Sequence, residues 1–376
     1  MKKDGSRLED VGPWLKLNMA PLLPAQLHTL ISDFGSPMEA LEASYEAIGK
    51  TLGIKEDRAR DLIEKIRRID VAKEIEEIRA RGIKIVTYMD SAYPSCLKAI
   101  FDPPLVLYIL GKFPFPDKNN LAIVGSRQAT LYGRLMANSL AKEIAGFGVS
   151  IVSGMARGID TAAHRGALEG DGWTIAVLGS GLDIVYPAEN AWLMKEIVAS
   201  GTVISEFPLG TRPLRQNFPR RNRIIAGLSM GVVVIEATKR SGALITTEYA
   251  LENGREVFAV PGRIDSRYSE GTNSLIKQGA KLVTNVRDIL EEFSHISPLD
   301  EEPSNKKGEK NLRVTLEGDE LRVFEFLDFE PRHIEAITYD LGIPVQRVVT
   351  ALTGLEIKEL ARQLQGKMFI KKNCRA

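Results

Sequence analysis

The feature that most constrains this chain is a strand–turn–helix pattern that occurs twice between Leu121 and Ala167. Residues 121–124 and 149–152 are short apolar runs rich in β-branched side chains, and each ends at a turn of small residues before helical periodicity resumes. Two strands joined through a helix form a βαβ unit and lie parallel in one sheet. Ligands of such sheets bind beyond the carboxyl ends of the strands, where backbone N–H groups can hold an anion. The pattern therefore predicts a phosphate-binding cleft.

Further short apolar runs on both sides of this unit predict the rest of a sheet. Because helical stretches separate most of them, they indicate an α/β fold with a Rossmann-like, doubly wound, mainly parallel sheet, which we assign to residues 83–293. The additional predicted strands are 83–88, 105–110, 174–178, 202–205, 232–235 and 257–260.

The sequence on the N-terminal side of this domain predicts an all-α module. Residues 1–82 carry helical spacing without a strand pattern, and glycines between the segments read as helix stops. The module resembles SAM or helix-hairpin-helix units in outline. It could offer backbone N–H groups to DNA phosphate, or it could serve docking and spacing, and the sequence leaves both interpretations open.

The sequence on the C-terminal side predicts a linker and a third unit. Residues 294–312 are polar and charged with almost nothing to bury, which is typical of a linker. Residues 313–376 predict three helices and a terminal hairpin, the outline of a winged helix. The candidate recognition helix, which begins at Val345, has few basic residues. Its role as a DNA reader or as a protein contact therefore stays open.

Composition limits the class of protein and its partners. The formal net charge of the 376 residues is +1, so any nucleic-acid site must rest on a local basic patch. Cys96 and Cys374 are too few for a disulfide framework, and the four histidines lack metal-ligand spacing, so we expect no metal and no cofactor. No apolar run approaches the ~18 residues of a membrane span, and no signal peptide is recognisable. We expect a cytoplasmic protein without membrane contact.

The familiar nucleotide-binding fingerprints are missing from the predicted turns. A dinucleotide-binding turn needs G-x-G-x-x-G, but Arg127 occupies the second glycine position after the first strand, and Ile184 replaces the third glycine after Gly179 and Gly181. The chain also has no G-x-x-x-x-G-K-[ST] sequence. These departures exclude a nicotinamide-dependent dehydrogenase and give no indication of a P-loop ATPase.

Small and hydroxyl-bearing turns instead recur at several strand ends. They begin at Gly125, Ser153, Gly179 and Ser241. Several such turns along one sheet edge suit an extended phosphate backbone better than one compact nucleotide. The repetition predicts an elongated anionic ligand.

The most basic stretch of the sheet domain is 210–223, GTRPLRQNFPRRNR. It holds five arginines around one aromatic residue, Phe218, with no acidic residue among them. Guanidinium groups grip phosphate bidentately and an aromatic face can stack a base, which is what a single-strand groove requires. We therefore predict single-stranded DNA binding here rather than a merely solvated basic loop.

The sequence contains no convincing set of catalytic residues. Asp160 and His164 are spaced to share one helix face, but a carboxylate at a helix start is more often a cap and dipole partner. Glu206 and Glu248 are the remaining strand-end carboxylates of interest. No motif in the sequence requires a catalytic reaction, and we predict no catalytic residue and no enzyme.

These motifs together resemble the DNA-processing protein A family, also called DprA or Smf. The motifs that carry the resemblance follow in order through the α/β domain, from GSR at Gly125, through SGMARGID, AVLGSGLDIVYP, SEFPLG, NFPRRNRIIAGLS and SGALIT, to VFAVPG at Val257. The resemblance implies a protein that binds single-stranded DNA in a basic pocket at the strand ends, protects incoming DNA and loads the RecA recombinase during natural transformation. It also implies a homodimer formed through the Rossmann-like domain, with contacts in 272–283.

Carried over by position, the resemblance and the turn analysis give one set of candidate DNA-binding residues. The motif arginines would neutralise phosphates, the glycine and hydroxyl turns would donate backbone N–H bonds, and Phe218 would stack a base. The set is Gly125, Ser126, Arg127, Gly154, Gly158, Asn217, Phe218, Arg220, Arg221, Asn222, Arg223, Lys239, Ser241, Gly242 and Thr246.

Two other classes of function remain as alternatives. A nucleotide phosphoribohydrolase of the lysine-decarboxylase-like fold uses a GGxGTxxE segment, of which Ser241 to Glu248 is a distorted version with Leu244 in place of a glycine. A winged-helix transcription regulator would place the basic cluster in the winged helix, whereas the cluster here lies in the sheet domain. Release of free base from a nucleoside monophosphate would indicate the first class, and sequence-specific duplex binding the second.

Overall fold

A computed structural model describes residues 11–115, 119–293, 316–328, 331–358 and 360–371. The chain divides into two compact units, Met1–Glu301 and Glu302–Ala376. The predicted linker at 294–312 lies outside the described residues.

The first unit opens with six helices among its described residues. Serine caps start two of them: the Ser36 and Ser44 hydroxyls accept hydrogen bonds from the amides three residues further on. One apolar cluster holds Leu15 and Ile63 of these helices together with Tyr108 and Val203 of the sheet, so the helices pack directly on the sheet. The six are α1 (Gly12–Asn18), α2 (Pro24–Phe34), α3 (Pro37–Glu42), α4 (Tyr45–Leu52), α5 (Glu56–Arg67) and α6 (Ala72–Ala80).

The rest of the unit is built on a nine-stranded sheet with the order β1-β2-β6-β5-β4-β3-β7-β8-β9. Strands β3 to β9 pair in parallel, and β1 and β2 form an antiparallel edge. The predicted mainly parallel sheet is therefore confirmed. The strands are β1 (Lys84–Thr87), β2 (Val106–Gly111), β3 (Asn120–Val124), β4 (Ser150–Ser153), β5 (Thr174–Val177), β6 (Thr202–Ser205), β7 (Gly231–Val234), β8 (Glu256–Ala259) and β9 (Lys281–Leu282).

Helices cover both faces of this sheet, because successive apolar side chains of a strand point to opposite faces and both sets are buried. Leu121 and Ile123 pack with helices on one face, whereas Ala122 and Val124 pack with helices on the other. The described helices of this part are α7 (Ser95–Lys98), α8 (Leu131–Gly146), α9 (Ile159–Glu169), α10 (Ala191–Ser200), α11 (Asn217–Gly227), α12 (Gly242–Glu252), α13 (Glu270–Lys277) and α14 (Arg287–Leu290).

The strand order reverses at β3, which determines where a ligand can bind. From β3 the chain first builds β4 to β6 on one side and then returns to place β7 to β9 on the other. A crevice opens at such a switch point, beyond the carboxyl ends of the strands. In this chain the crevice lies after Val124 and Val234.

The second unit has the winged-helix outline. Its three described helices are α15 (Gly318–Phe326), α16 (Ile334–Leu341) and α17 (Val345–Ile357), and its antiparallel sheet has the order β10-β12-β11, with β10 (Arg332–His333), β11 (Ala361–Leu364) and β12 (Met368–Lys371). Helix α17 begins at Val345, as predicted, and ends at Ile357, ahead of β11. The core of this unit is formed by buried apolar side chains, among them Val323, Ile337, Leu352 and Phe369.

In the part of the chain that the structure describes, none of the helices has the length and apolar character that crossing a bilayer requires.

Candidate nucleic-acid interface

The turn after β3 brings Gly125 and Ser126 close to the end of β7. The Ser126 amide donates to the Glu236 carbonyl oxygen at 2.8 Å. A Cβ on Gly125 would lie 2.6 Å from Cγ1 of Ile159, so only glycine lets α9 approach the strand end this closely. The two strand ends at the switch point are thereby held together.

Arg127 extends from this turn towards two aromatic rings. Its guanidinium carbon lies 4.6 Å from the centroid of the Phe218 ring, and the Tyr186 ring lies 5.7 Å from that of Phe218. Arg127 and Tyr186 are exposed, and Phe218 is half-buried. An exposed cation and two aromatic faces therefore share the mouth of the crevice.

Arg221 is the buried cation of the site. It is 4% exposed, and its guanidinium donates to the carbonyl oxygens of Gly154, at 2.6 Å, and of Val177. A Cβ on Gly154 would overlap this guanidinium, which explains the glycine in the turn after β4. Burial lowers the pKa of Arg221 to about 10, so the side chain is charged at neutral pH.

The carboxyl that faces this cation is Asp160 at the start of α9. Its Oδ2 accepts from the amide of Ala156, in the turn before the helix, at 3.3 Å, so Asp160 lies in the first turn but does not form the predicted helix cap. Burial raises its pKa, and the Arg221 charge and the amides oppose that rise. His164 lies behind it in the core, where Nδ1 is 2.7 Å from the Thr174 hydroxyl and burial lowers the imidazole pKa to about 3. The histidine is therefore a neutral packing residue at physiological pH.

Helix α11 supplies several of the predicted residues. The Asn217 amide group donates to the carbonyl oxygens of Gly179 and Arg212, and that of Asn222 donates to Gly242. Asn217 is buried and acts as a structural link between turns. Asn222 connects α11 to the start of α12.

Arg223, the last arginine of the run that we predict to contact phosphate, lies in a buried ion pair. Its side chain is 5% exposed, and its guanidinium lies 2.5 Å from the buried Glu206 carboxylate. It also donates to the Asp102 carbonyl oxygen. Arg220 keeps an exposed side chain but pairs with the same carboxylate at 3.3 Å and stacks over Phe207. The sequence alone could not show which partners these arginines have, because Asp102 is far from Arg223 along the chain.

The turn before α12 contributes a hydroxyl and an open backbone position. The Ser241 hydroxyl caps the helix by accepting from the Ala243 amide at 3.3 Å. A Cβ on Gly242 would meet nothing within 4 Å. Lys239 points outward, with its side chain 76% exposed and 4.0 Å from the Glu270 carboxylate. The turn thus presents free space to a ligand.

These elements enclose a cavity of about 730 Å³, which we call the strand-end cavity. A smaller cavity of about 200 Å³ shares Arg127, Tyr186 and Phe218 with it and adds Gly154 and Arg157. Of the predicted residues, the strand-end cavity is lined by Gly125, Arg127, Phe218, Arg221, Asn222, Ser241, Gly242 and Thr246.

The remaining predicted residues do not line the strand-end cavity. Ser126 and Gly158 shape the turns behind it, where Gly158 has a φ of 78° and lies against the Ser126 carbonyl oxygen. The candidate set left out two residues that line the cavity: Tyr186, and Arg215, which is one of the five arginines of the predicted basic stretch. Tyr186 lies in the AVLGSGLDIVYP motif after a predicted strand, and Arg215 lies three residues before Phe218, so both positions could be read from the sequence.

The residues expected for a phosphoribohydrolase are not brought together. Glu248, the carboxylate of that alternative, is exposed on α12 and does not line the cavity. Glu206 is occupied by Arg223 and Arg220. Within the described ranges, no group of three or more His, Cys, Asp or Glu side chains is arranged to hold a metal ion.

Fold and site together define a class of protein: a doubly wound α/β protein with an arginine-lined crevice at its switch point, followed by a winged helix. The family model described as DNA recombination-mediator protein A matches residues 84–294, and the one described as DprA winged helix domain matches 309–367. The chain belongs to this DprA/Smf family of DNA-processing proteins. The resemblance inferred from the motifs is confirmed.

Individual relatives agree with this assignment. Protein Smf of Escherichia coli is 43% identical over 268 residues, which cover 70% of this chain and 71% of that protein. DNA processing protein DprA of Streptococcus pneumoniae is 48% identical over 207 residues, which cover 54% of this chain and 72% of that protein.

Two solved structures are similar to the chain. The X-ray structure of DprA from S. pneumoniae is 39% identical, covers 74% of this chain and 96% of its own, and has a TM-score of 0.66. The DprA structure from Helicobacter pylori, described as giving insight into that protein's single-stranded DNA binding mode, is 30% identical, covers 56% and 96%, and has a TM-score of 0.51.

Proposed function

We propose that this protein binds single-stranded DNA at the strand-end cavity, without catalysing a reaction. The observation that supports the proposal most strongly is the Arg127–Phe218 pair at the cavity mouth, where a cation lies 4.6 Å from an aromatic ring. A phosphate and a base of one nucleotide need these two groups side by side. A duplex keeps its bases stacked inside and could use the cation alone.

The buried groups prepare the cavity for an anion. Arg221 is held by two carbonyl oxygens and keeps its charge at neutral pH, so the site bears positive potential before a ligand arrives. The open position at Gly242 lets a phosphate approach the start of α12, where the helix dipole favours an anion. Arg127 and Arg215 then close over the backbone from the exposed side.

The cellular role that we propose follows from family membership. DNA held in this way is protected from nucleases and passed to the RecA recombinase during natural transformation and recombination. We further propose that the protein acts in the cytoplasm as a homodimer through its Rossmann-like domain, so that two cavities engage one strand and raise avidity.

The test is a titration of labelled oligo-dT and of a matching duplex by fluorescence anisotropy over a range of salt concentrations. We expect tighter binding of the single strand, with a logarithmic affinity that falls linearly with the logarithm of salt by about 0.7 per phosphate neutralised. Equal affinity for strand and duplex, or binding insensitive to salt, would contradict the proposal. RecA loading is then measured as strand exchange with and without the protein.

A further inference from the structure

Outside both cavities, one exposed tryptophan lies beside an arginine. Trp192, in the first turn of α10, is 44% exposed. The guanidinium carbon of Arg165, on α9, lies 5.7 Å from the centroid of its ring. The Arg165 side chain is 54% exposed, and its guanidinium lies 3.6 Å from the carboxylate of the exposed Glu169. An exposed indole ring and an exposed guanidinium beside it are the two kinds of group that can stack a base and contact its phosphate.

A line of side chains leads from the strand-end cavity towards this pair, in part through contacts and in part through adjacency along the chain. Phe218 and Tyr186 lie at the mouth, and the smaller cavity extends from them to Arg157. Arg157 pairs with Glu189, which belongs to the short turn Ala188–Asn190 that leads directly into α10. Aromatic and arginine side chains are therefore present both at the cavity mouth and on α9 and α10, and two of the arginines, Arg157 and Arg165, lie beside the carboxylates of Glu189 and Glu169.

The side chains along this line determine which kind of ligand suits it. Stacking faces at Phe218, Tyr186 and Trp192 suit unpaired bases, and the interspersed arginines suit the phosphates between them. An acidic peptide would use the cations but leave the aromatic faces unfilled. A duplex would present phosphates without accessible base faces.

We propose that Trp192 and Arg165 form a second nucleotide subsite, where single-stranded DNA that leaves the strand-end cavity stacks a base on the indole. This inference rests on the proposed function of the cavity. A short strand fills the cavity alone, whereas a longer strand also reaches the Trp192 subsite. Affinity therefore depends on strand length until the subsite is filled.

The experiment compares oligo-dT of about 4 and about 15 nucleotides, a span within the range of known single-strand sites. Trp192→Ala is expected to weaken binding of the longer strand roughly tenfold and to leave the shorter strand unaffected, since stacking of one base is worth ~1–3 kcal/mol. Trp192→Phe retains a stacking face and is expected to restore most of the affinity. Phe101→Ala removes a 92%-exposed aromatic that lines neither cavity and serves as the matched control.

The outcomes separate this inference from the proposed function. If Trp192→Ala binds both strands as the wild type does, or weakens both equally, the second subsite is refuted while single-strand binding at the cavity stands. If Arg127→Ala loses neither strand, the cavity proposal fails, and the inference fails with it. Quenching of tryptophan fluorescence by the longer strand, absent in Trp192→Phe, provides an independent readout that supports stacking.

Discussion

Nη1 of Arg221 lies 2.6 Å from the carbonyl oxygen of Gly154, and a side chain on that glycine would occupy the same space. The contact positions the buried cation of the strand-end cavity. We expect Gly154→Ala to displace the guanidinium and to lower the free energy of unfolding by about 1–3 kcal/mol, as overpacking of a buried site does. Affinity for oligo-dT is expected to fall as well. Urea unfolding and anisotropy measure the two effects, and a variant with wild-type values of both would contradict this role.

Substitution of Gly242, unlike that of Gly154, is expected to weaken DNA binding without lowering stability. A Cβ there meets nothing within 4 Å, so Gly242→Leu should change stability by less than about 0.5 kcal/mol. Its side chain would enter the space that we assign to phosphate and weaken oligo-dT binding, whereas Gly242→Ala would have a smaller effect. Unchanged affinity of the Leu variant would indicate that the ligand does not approach α12.

Arg223 is expected to matter for stability rather than for phosphate binding. Its guanidinium and the Glu206 carboxylate are both buried and 2.5 Å apart. Arg223→Ala leaves that carboxylate without its main partner and should cost about 3–5 kcal/mol of unfolding free energy. The salt dependence of oligo-dT binding, measured on the fraction that remains folded, should keep its slope. A reduced slope would mean that Arg223 contacts DNA after all.

The buried His164 predicts a pH dependence of stability. Its pKa falls from 6.5 to about 3 on folding. Between these two pH values, His164 therefore binds a proton in the unfolded chain but not in the folded chain. Stability is therefore present above pH 6.5 and is lost as the pH falls, by about 2 kcal/mol between pH 7 and 5. His164→Asn should flatten this part of the profile in urea unfolding at several pH values. An unchanged slope would assign the acid sensitivity to other groups.

The sequence predicted much of the fold because the sheet is buried on both faces. Its strands are continuous apolar runs, and β6 begins and ends at the predicted residues 202 and 205. The two-residue strands β9 and β10 carry no pattern of their own and form through pairing with a neighbour, so periodicity could not find them.

The site was predictable in its turns and only partly in its side chains. Glycine and serine at strand ends report backbone geometry, which is local, and several of them do line the cavity. Whether an arginine faces a ligand or a buried carboxylate depends on tertiary neighbours. Arg221 and Arg223 are two residues apart in one basic run, yet one lines the cavity and the other is paired with Glu206.

The most direct test of the central claim compares two exposed arginines. Arg127 lines the strand-end cavity, whereas Arg220 lies over Phe207 and outside it. The measurement is the affinity of oligo-dT for Arg127→Ala and Arg220→Ala by fluorescence anisotropy, with thermal unfolding to verify that both are folded. We predict a loss of about tenfold or more for Arg127→Ala, a shallower salt slope, and near-wild-type binding for Arg220→Ala. Equal affinities of the two variants would contradict single-strand binding at the cavity.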